Sequence, residues 1–378
     1  MENGINGYLT LMAERNASDL FLSAGTPAYL KIDGATKMMD GDALSAPEIK
    51  ALVEEMMTSE QRTTFKVNKE ANFALEIKDV ARFRVNVYYQ RGEVAIAVRL
   101  IPSTIPALDA LGLPPEIAQL AMIKRGLIII SGAGGSGKST TMASMVNYRA
   151  HHADDHILTI EDPIEFIFPR ERSLVDQREV GIDTLSFGDA LRNAMRESPD
   201  VIMIGEIRDM ETAQHAIAYA ESGHLCITTM HANNANQVIE RILNYFPAEA
   251  HKQLLLDLSL HLEAVVSQRL VASLCPDGRR VVALELLLNS SYISEMIRQG
   301  RLNEIKHEME MGNQDGAVTL DDSLFKLYHA GQISRDEALH NADSHTDLAL
   351  KIRLSEHHSV SEAPDYTFSN PNLDGSYN

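Results

Sequence analysis

The chain has no tryptophan, two cysteines in 378 residues, 6% aromatic residues, and 34 Lys and Arg set against 53 Asp and Glu. Each shortage removes a class of function. Cys226 and Cys275 lie far apart with no CxxC spacing, which argues against a disulfide framework or a zinc knuckle and suits a reducing compartment. A formal charge of -19 makes attraction to a phosphodiester backbone or an anionic membrane unfavourable by default. With no tryptophan to stack on bases, no nucleic-acid partner is expected. No apolar run approaches the roughly 18 residues that span a bilayer. Met1 to Gly4 carry no basic-then-apolar signal pattern, so a soluble, cytoplasmic protein is expected.

What is present is 44% apolar and 23% charged residues, on a chain long enough for two buried cores. Ile5 to Arg15 and Ser45 to Met57 carry apolar residues at helical spacing, and Ser45 with Glu48 three positions on predicts a capped helix start. Leu20 to Leu22 and Tyr29 to Ile32 read as strands, the second closed by a turn at Asp33-Gly34, and a further strand cluster runs from Ala71 to Ile101. Residues 1–101 are thus expected to form an α+β module. Four prolines between Ile101 and Pro115 mark a linker over 102–115.

Beyond it, short apolar runs alternate with helical stretches, the pattern of a mostly parallel sheet covered by helices. The expected strands are Leu127 to Ser131, His156 to Ile160, Val201 to Ile204 and Leu225 to Thr229, with another near Val281 to Leu286. A helix over Asn233 to Phe246, a leucine-rich helix from about Ala248 to Val271 and two or three short helices would complete a domain over 116–354. Residues 355–378 hold acids but no Lys or Arg and lack periodicity, which predicts a disordered acidic tail.

Gly132-Ala133-Gly134-Gly135-Ser136-Gly137-Lys138-Ser139 fits G-x-x-x-x-G-K-[ST], follows an expected strand and, with Thr140, opens an expected helix. Glycines let successive N–H groups face phosphate oxygens, and the helix N-terminus adds partial positive charge. Lys138 would neutralise β/γ-phosphates and Ser139 would ligate Mg²⁺. Two carboxylate groups end neighbouring strands: Glu161, Asp162 and Glu165 after the second, and Glu206 after the third. Both should project at the carboxyl edge of a parallel sheet beside the glycine loop. Glu206 stands where an acid would activate water or hold Mg²⁺ through its hydration shell, with Glu161 as the second candidate. His224 and His231 bracket the fourth strand, seven positions apart, too far along a strand to share one metal. Either senses a γ-phosphate or is a satisfied histidine at a strand end.

Arg82 to Arg99 alternates like a hairpin, with Phe83, Val85, Val87, Tyr89, Val94, Ile96 and Val98 on one face. A two-residue turn at Arg91-Gly92 places Arg84 directly opposite Arg99, without an acid between them. Facing like charges are unfavourable by up to about 1 kcal/mol. Either they are solvated arginines on a sheet surface, or an outside anion such as a triphosphate lies between them, reached at an interface with a neighbouring subunit.

The order of these motifs resembles that of the secretion ATPases: Gly132 to Ser139 as Walker A, Thr159 to Phe166 as the Asp box, Pro199 to Asp209 as Walker B, and Glu221 to His231 as the His box. The likeness covers the chain to about residue 354. Within that superfamily the chain is similar to the PilT/PilU branch of type IV pilus retraction ATPases. It lacks the tetracysteine zinc element of the extension ATPases, and Met230 to Gln237 and Pro247 to Glu249 fit the PilU side. Ile293 to Gly300 stand where the PilT side carries its AIRNLIRE motif. The resemblance implies a PAS-like N-terminal domain and a RecA-like P-loop domain in a homo-hexamer, ATP and Mg²⁺ as ligands, Glu206 as catalytic glutamate, and Arg84 and Arg99 as phosphate contacts. It also implies an ATPase that assists a PilT-type partner in pilus retraction at the inner face of the inner membrane, touching the membrane only through the pilus machine and its platform protein. The primary retraction motor itself, and a nucleotide-dependent regulator with little hydrolysis, are the alternative readings.

Overall fold

Alternating apolar residues build the first unit of the computed structural model, which describes residues 4–360 apart from 33, 79, 103, 276, 277 and 312–315. Its elements are α1 (Ile5–Glu14), β1 (Asp19–Ser23), β2 (Tyr29–Ile32), β3 (Ala35–Met38), α2 (Ala46–Met56), α3 (Ser59–Asn68), β4 (Glu70–Ile77), β5 (Ala81–Gln90) and β6 (Glu93–Ile101). The strands form one antiparallel sheet in the order β3-β2-β1-β6-β5-β4. Phe83, Val85, Val87, Ile96 and Val98 are buried on one face with Leu20, Leu22 and Ile49. The expected cap is present: Ser45 Oγ accepts the Glu48 N–H and the Glu48 carboxylate accepts the Ser45 N–H. Arg91 and Gly92 both have positive φ, 51° and 84°, so β5 and β6 close through a two-residue turn that pairs Arg84 with Arg99.

The second unit comprises α4 (Glu116–Ala121), β7 (Gly126–Ser131), α5 (Lys138–His152), β8 (His156–Glu161), β9 (Leu174–Glu179), α6 (Phe187–Ala194), β10 (Val201–Ile204), α7 (Met210–Glu221), β11 (Leu225–Met230), α8 (Ala235–Tyr245), α9 (His251–His261), β12 (Leu262–Ala272) and β13 (Arg280–Leu288), then α10 (Ser291–Arg298), α11 (Leu302–Glu310), α12 (Leu320–His329), α13 (Arg335–Asn341) and α14 (His345–Val360). Its sheet runs β13-β12-β7-β11-β10-β8-β9, parallel except for β13. β7, β10 and β11 are buried along their whole length, as helix-covered parallel strands must be. Between the units, Leu108–Leu111 makes a single 3₁₀ turn, Leu108 is buried, and Ser144 Oγ on α5 donates to the Pro106 carbonyl at 2.8 Å.

Four expectations are corrected. The leucine-rich helix stops at His261 instead of Val271, because the β-branched stretch beyond it pairs with β7 as β12. The edge strand β9 has a mixed polar sequence with no strand periodicity and was not expected. Among the described residues five helices, α10 to α14, follow β13 where two or three were expected. The last of them continues to Val360, past the expected start of the tail at Ser355; residues 361–378 of that stretch, like Asp33 of the expected turn and Ser103 of the expected linker, lie outside the described residues.

Candidate functional site

The loop between β7 and α5 holds its shape through glycine. Gly132 has φ 151°, and a Cβ there would stand 2.4 Å from Ser136 Oγ and 2.5 Å from the Gln268 carbonyl oxygen. Gly137 has φ 87° and tolerates no side chain without strain. α5 begins at Lys138 with no side-chain cap, so its first-turn N–H groups have no side-chain acceptor and suit an anion. The Lys138 Nζ donates to the Gly132 and Ala133 carbonyls at 3.0 Å each, and the side chain is buried. Burial lowers the Lys138 pKa, countered in part by the charges of Glu206 and Glu165.

Hydrogen bonds between strand ends align the acids with this loop. The Gly205 N–H donates to the Ile160 carbonyl at 2.8 Å, Ile207 N–H to Thr229 O at 2.9 Å, and Thr229 Oγ1 to Gly205 O at 2.6 Å. Glu161 at the end of β8, Glu206 after β10 and His231 after β11 therefore line one pocket with Lys138, Ser139 and Glu165. Glu206 accepts from Arg208 Nε at 2.8 Å and lies 3.2 Å from His231 Nε2, while Arg208 Nη1 donates to Asp162 at 3.2 Å. Glu161 is 6% exposed and accepts from Thr159 Oγ1 at 2.7 Å and Gln177 Nε2 at 3.1 Å. Burial pushes its pKa up to about 7 despite those donors.

Several of these partners escaped the sequence reading. Arg208 is two positions beyond Glu206, and asking which cation balances Glu161, Asp162, Glu165 and Glu206 would have singled it out. Gln177 and Gln268 carried no such signal, because one lies on the unexpected strand β9 and the other on β12, read as helix.

Outside the glycine loop and the first turn of α5, three expected site residues are not brought to this pocket. His224 precedes β11, at the opposite edge of the parallel sheet, where its Nδ1 lies 3.0 Å from Ser222 Oγ. The expectation that His224 contacts the nucleotide is corrected within this chain: six strand residues separate it from the loop edge. Arg84 and Arg99 line a separate groove on the N-terminal sheet with Lys31, Asn72 and Asn86. Arg99 does have an acid, since pairing of β1 with β6 sets Asp19 beside it and Arg99 Nε donates to Asp19 Oδ1 at 2.9 Å. Neighbouring Arg82 reaches across to Glu179 of β9 at 3.9 Å.

The family model described as type II/IV secretion system protein matches residues 1–338. The type IV pilus ATPase PilU of Pseudomonas aeruginosa is 46% identical over 346 residues, covering 92% of this chain and 90% of the relative. The type IV pilus retraction ATPase PilT of the same organism is 39% identical, covering 89% of this chain and 98% of its own length. Among solved structures, the crystal structure of the pilus retraction motor PilT with bound ADP superposes with a TM-score of 0.86 at 40% identity, covering 92% of this chain and 99% of that one.

Proposed function

Because this chain belongs to the type II/IV secretion system family, in its PilT/PilU branch of pilus ATPases, we propose that it is a Mg²⁺-dependent ATP hydrolase that drives type IV pilus retraction. The observation that carries this reading is the meeting of Lys138, Ser139, Glu161, Glu206 and His231 in one pocket at the carboxyl edge of the parallel sheet. The glycine cradle and uncapped helix fit a polyphosphate. Ser139 and Glu206 are the hard oxygen donors that suit a small cation bringing phosphate oxygens and water as its other ligands. Bound there, Mg²⁺ would neutralise charge on the β- and γ-phosphate oxygens. Lys138 would leave the Gly132 and Ala133 carbonyls to contact the same oxygens. Glu206, oriented by Arg208 and His231, would hold the attacking water and accept its proton.

The greater likeness to the PilU relative supports an ATPase that works with a PilT-type partner, as an oligomer and specifically as a homo-hexamer, on the cytoplasmic side of the inner membrane against the pilus platform protein. Arg84, which makes no hydrogen bond or ion pair among the described residues, and Arg99 would then meet a neighbouring subunit's nucleotide. Steady-state ATP turnover of the chain and its Glu206→Gln variant tests the reading. The variant should lose about 100-fold or more in kcat with KM little changed. Turnover indifferent to Glu206→Gln would replace the enzyme with a nucleotide-dependent regulator. Pilus retraction with and without the PilT-type ATPase would then separate an auxiliary from a primary motor.

A further inference from the structure

The strand β12 brings a buried amide against the phosphate loop. Gln268 is 1% exposed. Its Nε2 donates to the Ser136 carbonyl at 2.7 Å, a bond between residues 132 positions apart in the chain. Its backbone carbonyl closes over Gly132, 2.5 Å from where a Cβ would stand, and its Nε2 lies 3.0 Å from the same position on Gly137. Gln268 thus meets the loop at its first residue and at both sides of the Ser136-Gly137 peptide.

That peptide matters because it is planar and trans, so its carbonyl and its N–H point in opposite directions. Holding the Ser136 carbonyl toward β12 turns the Gly137 N–H away from β12, into the loop. Without that hold, Gly137 at φ 87° gives the peptide little resistance to rotation. Packing alone does not explain the amide: Gln268 Oε1 is buried with no hydrogen-bond partner, as is the neighbouring Ser136 Oγ. An apolar side chain of the same length would avoid that unpaired oxygen.

We propose that Gln268 is a positioning residue of the nucleotide pocket, whose amide clamps the Ser136 carbonyl and so keeps the Gly137 N–H aimed at phosphate. The role rests on the reading of the loop as a nucleotide site. Calorimetric titration of ADP into the full chain, Gln268→Met and Gln268→Glu, with Tm measured without nucleotide, tests it. Gln268→Met keeps the volume and loses the donor, so it should bind ADP about tenfold more weakly while its nucleotide-free Tm stays the same or rises. At saturating ATP its kcat should stay within about twofold of wild type, the loss appearing in KM. Gln268→Glu sets a carboxylate against the Ser136 carbonyl and should bind no better than Gln268→Met; where one variant fails to fold, the other decides. ADP affinity within about twofold of wild type in a folded variant overturns the proposal, because filling space would then be the side chain's whole contribution. No ADP binding by the wild-type chain overturns instead the nucleotide reading beneath it.

Discussion

Glu161 shows how a single residue's surroundings set its chemistry. Its carboxyl, ordinarily ionised above 4.5, is pushed up to about 7 by burial between Thr159 and Gln177. The folded chain therefore binds a proton that the unfolded chain has lost between those two pH values, and stability falls as pH rises through that window. Glu161→Gln removes the ionisation, so thermal unfolding should show little gain at pH 4 and a rising gain to pH 8, up to about 3 kcal/mol. A gain independent of pH would contradict the assignment. Gly132 is constrained by space instead. Gly132→Ala places a Cβ 2.4 Å from Ser136 Oγ and 2.5 Å from the Gln268 carbonyl, so nucleotide binding should be lost along with a few kcal/mol of stability. ADP titration and denaturant unfolding check both effects.

Among the elements, β12 links two regions, because it touches the phosphate loop on one side and the C-terminal helices on the other. Gln268 faces Ser136, whereas Arg269 next to it donates to the Asn341 carbonyl at 2.6 Å and to Asp343 at 2.8 Å, where Lys306 of α11 also arrives at 2.9 Å. Asp343→Ala leaves two half-buried cations without their shared acid and should cost about 1–3 kcal/mol. Limited proteolysis should then cut within α12 to α14 before it reaches the parallel sheet. Equal protection in wild type and variant would show that the helices dock without this anchor. The element was hidden because Leu254, Leu258 and Leu262 continue a helical spacing into a segment whose fate is decided by pairing with β7. By contrast, β7, β8, β10 and β11 were legible as apolar runs, since parallel strands bury both faces and leave no periodicity to misread.

For the whole molecule, the pocket and the arginine groove lie on separate units of one chain, and assembly could join them. Arg84→Ala should lower ATP turnover of the assembled protein about 100-fold while the N-terminal sheet stays folded. Arg99→Ala should cost less turnover, because Asp19 already neutralises part of that charge. Mixing Arg84→Ala chains with Lys138→Ala chains should restore part of the activity, since some interfaces then carry an intact loop facing an intact arginine. Unchanged kcat in both arginine variants, or no recovery on mixing, would rule out an interfacial role.

The amino-acid sequence alone determined the glycine loop, the strand-terminal acids Glu161 and Glu206 and the hairpin register that opposes Arg84 to Arg99, because each depends on residues close together in the chain, and it determined the family through the order of such local motifs along the chain. Tertiary structure alone decided the partners. Pairing of β1 with β6 put Asp19 beside Arg99, the parallel order of β10 and β11 put His231 but not His224 beside Glu206, and β12 next to β7 put Gln268 under Ser136. Those contacts join residues far apart in sequence, and strand order, which no local pattern encodes, determines which of them meet.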